Sequence, residues 1–86
     1  MQVKEIRLRP NTGDHDLTTK LMKAQKFILN GDKLKVTIMF RGREMARRQA
    51  GIDLLDRVSE ILDEVAKIDK SANMEGRRMS MILSPK

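Results

Sequence analysis

The sequence predicts a two-layer α/β sandwich of the α+β type. Its elements run β-α-β-α-β-β, with a mixed four-stranded sheet and two helices on one face. Three observations carry this expectation. Leu34, Val36, Ile38 and Phe40 alternate strictly with Lys35, Thr37 and Met39, the period of a strand with one buried face. Two longer segments repeat their apolar residues every three or four positions, the spacing of amphipathic helices. Right-handed crossovers that progress in one direction then place both helices on the same side of the sheet.

Residues 3–9 open the chain as a half-buried strand, with Ile6 and Leu8 on one face and Glu5, Arg7 and Arg9 on the other. Pro10 lacks a backbone donor and ends it. Asn11-Thr12-Gly13-Asp14 reads as a turn, and Asp14 or Asp16 is suited to cap the next helix. That helix is expected over Leu17 to Asn30, because Leu17, Leu21, Ala24 and Ile28 form one apolar stripe, flanked by Phe27. Met22, Lys26 and Leu29 project from the opposite side, and Gly31 stands where a left-handed C-cap is wanted.

After the strand Lys33 to Phe40, a long helix is expected from Glu44 to Ala66. Gly51, Leu54, Leu55, Val58, Ile61, Leu62 and Val65 fall on one stripe, with Asp56, Glu60 and Asp63 opposite. Lys67 to Ala72 gives a weak strand pattern and Asn73 to Gly76 a turn. Arg77 to Ser84 alternates again, with Met79, Met81 and Leu83 inward. The sheet's outer face then collects Arg7, Arg9, Lys35, Arg41 and Arg78. The 86 residues suffice for a single domain, 1–86, with no internal repeat or low-complexity segment.

Composition bounds the function. There are no cysteines, so disulfides and thiolate metal sites are excluded. Apolar runs reach only three residues, such as Ile38 to Phe40, too short for a membrane span or a signal peptide core; the expected location is the cytoplasm. The net charge is +6, and it is unevenly spread. Residues 1–48 hold 12 of the 18 bases and 5 of the 12 acids, whereas residues 49–70 hold 3 bases and 6 acids. A basic surface attracts phosphates, although net charge alone does not separate anion binding from plain solubility.

Catalysis fares poorly. The only histidine, His15, lies beside Asp14 and Asp16, where it is either a weak metal contact or a solvated turn residue. No Walker-type loop, paired glycine fingerprint or zinc spacing is present. A small hydrolase or ligand sensor would rest on fold shape alone, which does not specify function. The sequence therefore predicts a binding module with no enzymatic activity, no cofactor and no metal.

The richest segment is Arg41-Gly42-Arg43-Glu44-Met45-Ala46-Arg47-Arg48, joining the clearest strand to the long helix. A helix start offers free N–H groups, and arginine grips phosphate with a planar fork. Two alternatives stay open: a solvated charge run with Glu44 and Arg48 paired as i,i+4 neighbours, and a basic protein-interaction module that meets an acidic partner. Phe27 and Phe40 are the only aromatics, and both sit on core faces. Stacking on splayed bases is thus disfavoured, and a folded RNA read by shape through its phosphates is the better target.

The run Gly31-Asp32-Lys33-Leu34-Lys35-Val36-Thr37-Ile38-Met39-Phe40-Arg41-Gly42-Arg43-Glu44-Met45-Ala46 resembles the signature of the C-terminal domain of bacterial translation initiation factor three. Val3 to Pro10 resembles that domain's opening strand, and Glu75-Gly76-Arg77-Arg78-Met79 its last turn and strand. The resemblance implies binding to the small ribosomal subunit through 16S rRNA. It further implies a block on premature joining of the large subunit, and support for initiator tRNA and start-codon selection with only indirect contact to the tRNA. The positions it implies for rRNA contact are Arg9, Lys26, Arg41, Arg43, Arg57 and Arg77; the arginine-rich junction and last strand add Arg47, Arg48 and Arg78. Met22 and Met39 stand where relatives carry arginine, and Lys26 keeps the charge without the fork. For Arg57, rRNA contact and an ion pair with Asp53 or Glu60 are both open. A monomer is expected, corresponding to the second domain of a longer two-domain factor.

Overall fold

A computed structural model describes residues 2–10 and 13–86, so Asn11 and Thr12 of the expected first turn lie outside the described residues. Strand β1 is Val3–Leu8, helix α1 Asp14–Leu29 and strand β2 Lys33–Met39. A 3-10 helix at Gly42–Arg47 leads into α2, Arg48–Ile61; β3 is Ala66–Glu75 and β4 Arg78–Pro85.

The sheet order is β1-β2-β4-β3. β1 and β2 are parallel, with Ile6 beside Val36 and Leu8 beside Ile38. β4 runs antiparallel to both β2 and β3. The α2 crossover thus passes over one strand position, and β4 returns to fill it. Both crossovers progress in the same direction, which puts both helices on one face as expected. Between the layers, Ile6, Leu8, Leu34, Val36, Ile38, Met79, Met81 and Leu83 of the sheet meet Leu17, Leu21, Ala24 and Ile28 of α1 and Leu55 and Val58 of α2 in one core.

The end of α1 follows from local chemistry. Gly31 adopts φ 92°, open to glycine but strained for other residues. Its N–H donates to the Ile28 carbonyl at 3.0 Å and the Asp32 N–H to the Phe27 carbonyl at 3.0 Å, which closes the last turn in a Schellman arrangement. The start of α1 differs from expectation. Gly13 is the N-cap and no side chain caps it, while Asp14 and Asp16 lie within the first turn, where carboxylates favour the helix dipole.

The second helix is the larger correction. The expected span Glu44 to Ala66 divides into the 3-10 segment, α2 proper and a turn over residues 62–65. Leu62 is buried and Val65 half-buried from that turn, so their apolar spacing mimics a longer helix. β3 is longer than the expected Lys67 to Ala72, and its turn to β4 contracts to Gly76 and Arg77, with Gly76 at φ 60°.

Candidate nucleic-acid interface

Strand polarity decides where the arginines go. β1 and β2 are parallel, so residues just past their C-termini share one end of the sheet. β4 is antiparallel to β2 and begins at that same end, with Met39 opposite Arg78. The Phe40 N–H donates to the Arg77 carbonyl at 2.8 Å, tying the last turn to the strand that leads into Arg41. Arg9, Arg41, Arg43 and Arg47, with Glu44, line one shallow concavity at this sheet end.

Glu44 organises the group. Its Oε1 accepts a hydrogen bond from the Arg41 N–H at 2.9 Å, and Arg9 Nη2 stands 3.4 Å from the same oxygen. The Glu44 N–H donates to the Arg41 carbonyl at 2.8 Å, completing a tight turn. The expected α-helix start is instead a six-residue 3-10 segment, and Glu44 takes the N–H of its N-cap residue, Arg41. The positive charge here is carried by arginine side chains open to solvent: Arg41, Arg43 and Arg47 are exposed. In place of the alternative Glu44–Arg48 pair, Glu44 makes the contacts to residues 9 and 41. With three residues per turn, positions 44 and 48 do not stack on one face.

Arg78 lies on the open face of the sheet in a polar hollow with Glu5, Lys35, Thr37, Glu75 and Ser80. There Thr37 Oγ1 donates to Glu5 Oε2 at 2.9 Å, and Arg7 Nε lies 3.1 Å from Glu5 Oε1. The Thr37 hydrogen bond holds the Glu5 carboxyl below its ordinary value of 4.5; partial burial opposes this, and Arg7 and Lys35 reinforce it. Arg9 and Arg41, expected on this face, lie instead beyond the ends of β1 and β2.

The remaining candidates are spread out. Arg48 lines a groove between α2 and β3 with Ile52, Asp56, Ile68 and Met74. Lys26 is exposed in the last turn of α1, which leads to the start of β2 and so lies at the opposite end of the sheet. Arg57 Nη1 pairs with Asp14 Oδ1 at 3.2 Å rather than with Asp53 or Glu60. Asp53 instead accepts from Gln49 Nε2 at 3.0 Å. His15 is an exposed residue of the first turn of α1, not of a loop, and among the described residues no cluster of three metal-ligating side chains forms. Met22 is exposed on α1 and Met39 is half-buried at the end of β2.

Residues 1–86 match the family model described as Translation initiation factor IF-3, C-terminal domain. The chain belongs to this family. It is 49% identical over 86 residues to Translation initiation factor IF-3 of Bartonella quintana (strain Toulouse), an overlap of 100% of this chain and 50% of that protein. It is 50% identical to the protein of the same name from Neisseria meningitidis serogroup B (strain ATCC BAA-335 / MC58), again over 100% of this chain and 50% of the relative. For Brucella melitensis biotype 1 the identity is 48%, over 100% of this chain and 48% of the relative. The chain thus spans about half the length of the curated relatives it matches. Within this initiation factor domain, Arg9, Arg41 and Arg43 come together with Arg47, whereas Lys26 and Arg57 stand apart. The organising carboxylate, Glu44, meets Arg41 and Arg9 and not the Arg48 of the alternative pairing; its place three residues after Arg41 is the spacing of a capping box, which is the signal that points to it.

Proposed function

We propose that this domain binds the small ribosomal subunit through its 16S rRNA, and that it acts by occupancy rather than catalysis. By holding that surface it blocks premature joining of the large subunit and supports initiator tRNA and start-codon selection, its contact with the tRNA being indirect. The observation that carries this reading is the convergence of Arg9, Arg41, Arg43 and Arg47 at one sheet end, in a chain whose whole length matches the initiation factor family. Four planar, permanently charged forks within one hollow suit the phosphates of a folded RNA. Arg77 adjoins this end and Arg78 lies on the neighbouring sheet face, so they extend the contact. Lys26, Arg48 and Arg57 form its periphery.

The domain acts as a monomer in the cytoplasm and needs no cofactor. No helix among the described residues is long and apolar enough to cross a membrane.

Sedimentation of ribosomal subunits with and without the domain tests this reading. The domain is expected to travel with the small subunit and to raise the fraction of free subunits. Recovery only in the unbound fractions, with subunit association unchanged, contradicts it.

A further inference from the structure

We propose that Glu44 is the positioning residue of the arginine cluster: although negatively charged, it strengthens binding to rRNA phosphates by fixing the groups around it. This rests on the cluster being the rRNA interface. Simple electrostatics gives the opposite expectation, since a carboxylate among four guanidinium groups lowers the local positive potential.

The geometry favours positioning. The Glu44 side chain is 18% exposed, against 41% for Arg9, so the carboxylate is turned into the protein more than the cation it meets. One oxygen, Oε1, serves both the Arg41 N–H at 2.9 Å and Arg9 Nη2 at 3.4 Å, joining segments 35 residues apart in sequence. The intervening Gly42 has open space where a side chain would begin, so no neighbouring atoms brace it there. The Glu44 carboxylate, together with its own N–H on the Arg41 carbonyl, fixes the turn that sets the direction of Arg41 and Arg43. Arginine side chains lose rotamer freedom on binding, and a group already oriented loses less.

The test compares Glu44→Gln, which keeps shape and an acceptor for the Arg41 N–H but removes the charge facing Arg9, with Glu44→Ala, which removes both. Binding to small ribosomal subunits is measured over a salt series beside wild type and the Arg41→Ala/Arg43→Ala double variant, with thermal melts of each protein. Despite the added unit of positive charge, both Glu44 variants are expected to bind more weakly. The alanine variant should lose about five- to tenfold, the scale of a lost capping interaction. The log–log salt slope should become shallower by about 1, the mark of one phosphate contact no longer held. A purely structural role would lower the melting temperature and leave the slope intact below it. If Glu44→Ala melts under the assay temperature, the slope of Glu44→Gln decides.

Equal or tighter binding by the folded Glu44 variants, with Arg41→Ala/Arg43→Ala still weakened, overturns the proposal and leaves Glu44 as a local counter-charge. Undiminished binding by Arg41→Ala/Arg43→Ala removes the interface reading itself, and the role of Glu44 falls with it.

Discussion

The ring of Phe40 fills the space beside Gly51: a Cβ at Gly51 would lie 2.6 Å from Phe40 Cζ and 3.4 Å from Met79 Sδ. Phe40 is buried and leads directly into Arg41, so this contact seats the first turns of α2 against the sheet end that carries the arginines. Gly51→Ala would gain about 1 kcal/mol of helix propensity. The clash with a buried ring opposes it with overpacking of about 1–3 kcal/mol. The expected outcome is a net loss of stability, read as a lower urea midpoint at unchanged m-value.

The Arg57–Asp14 pair links α2 to the first turn of α1 with both side chains largely in water, 55% and 85% exposed. Exposed pairs of this kind contribute about 0–1 kcal/mol. Arg57→Gln and Asp14→Asn should each lower stability by less than about 1 kcal/mol, and the double variant by no more than the larger single effect. The difference should vanish at about 1 M salt, where screening acts over about 3 Å. Urea titrations at two salt concentrations check this.

The elements legible in the sequence are those with one face buried. β2 alternates because the core takes Leu34, Val36 and Ile38, and α1 is periodic because Leu17, Leu21, Ala24 and Ile28 face the sheet. β3 is faint in the sequence for the converse reason: it is an edge strand, exposed along almost its whole length, with two register irregularities between Ile68 and Asn73. The apolar spacing runs past the end of α2 because Leu62 and Val65 continue it from a turn. At the site, the arginines could be named from sequence, but their grouping could not. Arg48 parts from Arg47 where the 3-10 segment gives way to α-helix. Arg57 finds its carboxylate 43 residues away, a tertiary contact that local spacing does not encode.

Glu5 gives the domain a predictable response to acid. Its folded pKa lies below 4.5 chiefly through the Thr37 hydrogen bond. The associated stability is therefore present above that unfolded value and is lost as pH falls through the lower folded value. Thermal melts from about pH 6 down to about pH 3 should show wild type losing stability more steeply below pH 4.5 than Glu5→Gln. Parallel curves would remove Glu5 from the acid response.

The separate placement of Arg47 and Arg48 predicts unequal effects for adjacent arginines. Arg47→Ala should reduce the salt slope of small-subunit binding by about 1, the change expected from a lost phosphate contact. Arg48→Ala, in the groove between α2 and β3, and Lys26→Ala, at the far end of the sheet, should change the slope by less. Binding assays on the three single variants at matched salt read this directly.

The most direct test of the central claim is the salt dependence of binding to the small ribosomal subunit for wild type and the Arg41→Ala/Arg43→Ala variant. With about four to six phosphate contacts, wild type should give a log–log slope of roughly −3 to −5. The double variant should bind more weakly, with a slope shallower by about 2. A wild-type slope near zero, or the same slope and affinity in both proteins, would contradict an rRNA interface built on these arginines.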